Sequence, residues 1–195
     1  MDAQSLQGLL TPPALVLLGL CIGSFLNVVI HRMPLILERQ WRSESAELLG
    51  VPIEPADALT LSRPRSRCPS CGHAITWYEN IPVLSYLWLR GRCSECKTRI
   101  SPRYPLVELL TGILFGLVGW RFGATPVALL WCGFAAVLVA LSGIDWDTTF
   151  LPDNLTLPLL WAGLMSSAVG WTIPLADAVW GAAIGYLSLW SVYWL

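Results

Sequence analysis

The sequence predicts an all-α polytopic membrane protein, with about five transmembrane helices and a small zinc-binding domain inserted after the first. Three observations carry this. Of 195 residues, 55% are hydrophobic and 13% charged, about half the charged share of a soluble domain. The charges are segregated: eleven of the twelve Lys and Arg fall between Arg32 and Arg103, with long apolar runs on either side. Inside that polar window stand two Cys-x-x-Cys pairs, Cys68/Cys71 and Cys93/Cys96, twenty-one residues apart.

Pro12–Ile30 is a run of nineteen residues without a charge, enough to cross about 30 Å of hydrocarbon at ~1.5 Å per residue. Residues 1–11 are expected outside the bilayer. The run lacks the basic start of a cleaved signal peptide and reads as a retained span. Gly19 and Gly23 share one face, where a second helix can approach closely. Asn27, one turn on, reads as a packing or hydrogen-bonding residue.

Residues 31–104 are the polar domain, positive by four charges. Its first part contains Pro34, Pro52, Pro55 and Pro64 and shows no clean periodicity; a short helix at roughly Glu38–Leu49 is expected. The Cys pairs have the spacing of two knuckles that place four thiolates around one Zn²⁺, at roughly 2.3 Å per bond. Two disulfides or free thiols are the alternatives; the spacing and the basic flanks favour metal in a reducing compartment. Four Cys leave no open coordination position, so the zinc reads as structural. His73 reads as a bystander. Cys21 and Cys132, in apolar runs, read as core residues.

The remaining spans are expected at Pro105–Trp120, Val127–Ile144, Asn154–Gly170 and Leu175–Leu195, with a tight loop at 121–126. The domain order is then 1–30, 31–104 and 105–195. Glu108 lies one turn inside the second span. It is either a functional membrane carboxylate or a helix-start acid favoured by the dipole. Gly112 and Gly116 repeat the small-residue spacing. Asp177 reads as an interfacial residue at a helix start. Basic residues flank the polar domain at its span ends (Arg32, Lys97, Arg99, Arg103), which places residues 31–104 in the cytoplasm. Counting crossings returns Asp145–Asp153 to the same side. Eleven Trp, many near span ends, suit interfacial anchoring.

The chemistry concentrates in Ala140–Asp153. An uncharged run ends abruptly in Asp145, Asp147 and Asp153. Carboxylates bracketed by membrane spans are costly unless they face water, a partner or a cavity. A solvated loop between helices is the plainer reading.

Taken together these motifs resemble the bacterial type IV prepilin peptidases over nearly the whole chain. The resemblance rests on Gly23-Ser-Phe-Leu-Asn-Val-Val-Ile-His-Arg-Met-Pro34, Ser66-Arg-Cys-Pro-Ser-Cys71, Trp77-Tyr-Glu-Asn-Ile-Pro-Val-Leu-Ser-Tyr86, Arg90-Gly-Arg-Cys-Ser-Glu-Cys96, Ile100-Ser-Pro-Arg-Tyr-Pro-Leu-Val-Glu-Leu-Leu-Thr-Gly112, and Ile144-Asp145 followed by Leu151-Pro152-Asp153. It implies a multi-pass aspartic endopeptidase of the bacterial inner membrane. Such an enzyme removes the leader from prepilins and type II secretion pseudopilins on the cytoplasmic side. It then methylates the new N-terminus with S-adenosylmethionine. By motif match the catalytic residue is Asp145; Asp147, Asp153 and Glu108 remain candidates, and no residue marks a methyl-donor site. Partners are the prepilin substrates and the lipid bilayer; no nucleic acid is expected. The family's second aspartate lies in a Gly-x-Gly-Asp motif that does not occur among these 195 residues. The chain is therefore expected to be a truncated or partial member. The alternative is an inactive homologue serving as a membrane-anchored zinc-domain interaction protein.

Overall fold

The computed structural model describes residues 10–52 and 59–194, so residues 1–9 of the expected extramembrane N-terminus, Pro55 and Leu195 lie outside the described residues. The fold is helical, without strands among the described residues. It divides into two compact units, Met1–Phe150 and Leu151–Leu195.

The first unit begins with α1, Pro12–Leu49. The sequence led us to expect a stop near Ile30 and a separate short helix from Glu38. The structure instead runs one 38-residue helix through Pro34. A proline inside a helix removes one backbone hydrogen bond and crowds the preceding turn. Here the following stretch is rich in Leu, Glu, Arg, Gln and Ala, whose helical propensity carries the helix on. It stops at Gly50, whose φ of 65° suits the left-handed cap, and Val51 N–H closes back on the Ala46 carbonyl. At ~1.5 Å per residue α1 is about 57 Å long, far more than the hydrocarbon thickness. Its charged second half (Glu38, Arg39, Arg42, Glu44, Glu47) is exposed.

α1 packs against the helix Arg103–Phe122 and against Pro126–Thr148. A short 3₁₀ turn at Tyr78–Asn80 and the five-residue helix α2, Leu84–Trp88, lie between. The two long helices after α2 are α3 (Arg103–Phe122) and α4 (Pro126–Thr148). The α1–α3 contact is made by missing side chains. A Cβ on Gly19 would stand 2.8 Å from the Gly112 Cα, and one on Gly23 2.6 Å from the Glu108 Cα. Asn27, one turn below, donates to the Tyr104 carbonyl at 3.0 Å and locks the start of α3 to α1. Leu15, Phe115 and Cys132 pack together where α1, α3 and α4 meet. Cys132 is thus the core residue expected, whereas Cys21 is exposed, because it falls on the outer face of α1.

α4 also runs further than its apolar stretch. It is capped at Thr125, whose hydroxyl accepts from Ala128 N–H. It ends at Thr149, in the left-handed region, with the Thr149 N–H on the Asp145 carbonyl at 2.8 Å. Asp145 and Asp147 therefore sit in the last turn of a helix, not in a loop. The Trp41 ring on the outer part of α1 meets the Phe150 ring edge-on at 5.1 Å.

The second unit is a helical hairpin, α5 (Asp153–Ala168) and α6 (Leu175–Tyr193). Its turn uses Gly170 at φ 76° and a hydroxyl cluster in which Ser167 and Thr172 lie 2.8 Å apart. Helices α1, α3, α4 and α6 are long and apolar enough to cross a membrane. The span expected at Asn154–Gly170 forms a 16-residue helix, about 24 Å long at ~1.5 Å per residue and so shorter than the hydrocarbon core.

Candidate metal centre and carboxylate cluster

The two Cys-x-x-Cys segments fold into matching knuckles. In the first, Cys68 N–H donates to the His73 carbonyl and Gly72 N–H to the Cys68 carbonyl, both at 2.9 Å. In the second, Cys93 N–H donates to the Thr98 carbonyl at 2.9 Å and Lys97 N–H to the Cys93 carbonyl at 3.2 Å. Both turns need a left-handed residue after their second Cys, Gly72 (φ 73°) and Lys97 (φ 60°). The tight turns aim the thiols inward, and all four sulfurs lie within 4.8 Å of one another. Cys68 and Cys96 Sγ are 3.7 Å apart, Cys71 and Cys93 Sγ 3.9 Å. A tetrahedron with bonds of ~2.3 Å has edges of about 3.8 Å. Spacing and donor chemistry both fit a closed Zn²⁺ site, and the separations are far too long for disulfides.

Glu79 joins the two knuckles. Its side chain is 7% exposed and accepts from Thr76 N–H (2.8 Å), the Thr76 hydroxyl (2.6 Å) and His73 Nε2 (3.1 Å). The Ser94 hydroxyl, then Thr76, hold its carboxyl down at about 2. The sequence reading missed this residue. The signal was the Thr-x-x-Glu spacing, in which a glutamate turns back onto the backbone N–H three residues earlier. His73 is accordingly a structural neighbour of the cysteines rather than a member of their cluster.

Glu108 is 8% exposed and faces the glycine contact between α1 and α3. Its Oε2 accepts the Val83 N–H at 2.7 Å. Val83 is held at φ 59°, a costly conformation for a β-branched residue. The carboxylate thus ties the loop before α2 to the membrane helix α3.

At the end of α4, Asp145 and Asp147 project about 200° apart around the helix. Asp147 is ion-paired with Arg103 Nη1, while Nη2 of the same guanidinium donates to the Gly143 carbonyl at 3.1 Å. Arg103 thereby also neutralises the negative end of α4. Its role was not legible in the sequence, where it read only as a flanking charge. The Asp145 carboxylate is exposed, and among the described residues no side chain pairs with it. Asp153 opens α5 and takes a weak bond from the Thr156 hydroxyl at 3.5 Å; Asp177 stands exposed in the first turn of α6.

A groove of about 700 Å³ runs between α3 and α4, with Leu110, Leu114 and Leu138 along it and Arg103, Ser142 and Trp146 toward one end.

Residues 17–122 match the family described as Bacterial Peptidase A24 N-terminal domain, and residues 132–195 match the Type IV leader peptidase family. The chain is 54% identical over 178 residues to a prepilin leader peptidase/N-methyltransferase of Pseudomonas putida, covering 91% of this chain and 62% of that protein. It is 55% identical over 183 residues to the protein of that name from Stutzerimonas stutzeri, with the same coverages. For Neisseria gonorrhoeae the figures are 49% over 180 residues, 91% and 63%. The chain thus spans less than two thirds of the length of these relatives. No solved structure matches it.

Proposed function

The chain belongs to the type IV leader peptidase family, and from that premise we propose that it is the part of a membrane aspartic endopeptidase that carries one catalytic carboxylate and the zinc domain. The substrates are type IV prepilins and type II secretion pseudopilins, cut at the leader on the cytoplasmic face of the bacterial inner membrane. The relatives' shared name supports both leader cleavage and N-methylation. No residue of the chain marks a methyl-donor site.

The observation that carries the reading is the division of labour at the end of α4. Hydrolysis by carboxylates uses a pair sharing one proton: one draws a proton from the attacking water and the other, protonated, polarises the scissile carbonyl. A carboxylate neutralised by an arginine is poorly suited to sharing that proton. Arg103 occupies Asp147, while among the described residues no side chain pairs with the exposed Asp145, which supports Asp145 as the catalytic member. Cys68, Cys71, Cys93 and Cys96 would hold Zn²⁺, which supplies the fold energy of a loop-rich domain.

The test is a cleavage assay. The chain is placed in liposomes with a leader-bearing prepilin, beside Asp145→Asn. Leader removal that disappears with Asp145→Asn supports the reading and means that the second carboxylate is present in the assay. Removal unaffected by Asp145→Asn overturns the assignment of Asp145. No removal by a zinc-loaded chain, combined with no removal when Gly-x-Gly-Asp residues of a relative are supplied in trans, favours the interaction-protein alternative.

A further inference from the structure

We propose that α2 is seated in the lipid interface, so that the zinc-knuckle domain rests on the bilayer instead of standing free in water. Leu84, Leu87 and Trp88 fall at positions i, i+3 and i+4 of α2, on one face, and are 64%, 65% and 88% exposed. Ile81, Tyr78 and Trp77, just upstream, are exposed as well. An apolar cluster of this kind on a polar domain marks an interaction surface.

The occupant follows from height. α3 has twenty residues, about 30 Å at ~1.5 Å per residue, which matches the hydrocarbon core and leaves little slack. Arg103 and Arg121 bracket it and fix its level. Glu108 is five residues below Arg103, about 7–8 Å down the axis. Its side chain leans back toward the helix start, and there it takes the Val83 N–H. Val83 immediately precedes α2. The start of α2 is thus held close to the hydrocarbon boundary. Trp88 belongs at such a boundary. Arg90 and Arg92, exposed just beyond it, suit the phosphates of anionic headgroups. Buried in lipid, the face gains free energy that it forfeits in water. The inference needs only that α3 spans the membrane and stands whether or not the chain cleaves prepilins.

The test replaces Leu84, Leu87 or Trp88, one at a time, by the photo-reactive p-benzoylphenylalanine in the full chain. The chain is reconstituted in vesicles of one synthetic phosphatidylglycerol and irradiated. Leu117, exposed in the middle of α3, and Glu44, on the outer part of α1, serve as lipid and water references. Adducts heavier by one phospholipid at two or more of the α2 positions, as at Leu117, are expected. Probes that stay unreacted as at Glu44 place α2 in water and overturn the proposal. Cross-links to protein overturn it too, by showing that another segment or a second copy covers the face. Three separate positions guard against one substitution that fails to fold.

Discussion

Arg103, the first residue of α3, pairs with Asp147 in the last turn of α4 and in doing so sets apart two carboxylates that are only two residues apart. The partners are 38% and 35% exposed, so the pair itself contributes little, about 0.5 kcal/mol.

Asp147→Asn should therefore leave leader cleavage within a few-fold of the parent, in whatever assembly supports cleavage, while Asp145→Asn lowers it by on the order of a thousandfold. Initial rates on one prepilin decide this. Equal losses from both substitutions would reject the division of labour.

Removal of the metal should unfold the knuckles while sparing the spans. Metal analysis is expected to give about one Zn per chain, falling to none in Cys68→Ser. Circular dichroism of that variant should keep its helical signal, because the long helices contain none of the four ligands. Retained zinc in Cys68→Ser would overturn the four-cysteine site.

Glu79→Gln should weaken the zinc domain by about 1–2 kcal/mol at neutral pH, the scale of lost hydrogen bonds to a charged acceptor. The carboxyl sits at about 2 when folded, against an ordinary value of 4.5. A lowered carboxyl stabilises the fold fully above its unfolded value and loses that contribution as pH falls toward the folded one. In excess zinc, the gap in unfolding midpoint between parent and variant should thus hold from about pH 8 to about pH 5 and close below that. A gap that persists unchanged below about pH 3 would reject this role for the Glu79 carboxylate.

Gly23→Val should separate α1 from α3. Even a Cβ there stands 2.6 Å from the backbone of Glu108, and backbone cannot swing aside. The cost is expected to reach about 3 kcal/mol, read as a lower melting temperature in detergent. Gly133→Val, where a Cβ meets nothing within 4 Å, is the control and should change little.

What the sequence made legible was periodic or locally spaced. The uncharged nineteen residues after Thr11, the clustering of the paired cysteines and the Gly19/Gly23 face were legible, because each is a pattern in one helix or in local turns. Asn27, expected as a packing or hydrogen-bonding residue, donates to the Tyr104 carbonyl. The helix ends were not legible. Pro34 and the acids after Ile144 look like stops, yet helical propensity and Thr149's left-handed cap carried α1 and α4 further. Arg103 with Asp147, and Glu108 with Val83, join residues forty-four and twenty-five apart. No local pattern encodes such pairs, since packing of the three helices creates them.

α1 has a consequence at the scale of the membrane. It is a continuous rod of which roughly half lies beyond the hydrocarbon core, and its far part bears on Phe150 through Trp41. A helix whose apolar part is mismatched to its bilayer adjusts by tilting. A tilt of about 10° would sweep the outer ~27 Å of this rod sideways by about 5 Å. Through the Trp41–Phe150 contact such a displacement would be felt where the chain leaves α4, a few residues past Asp145.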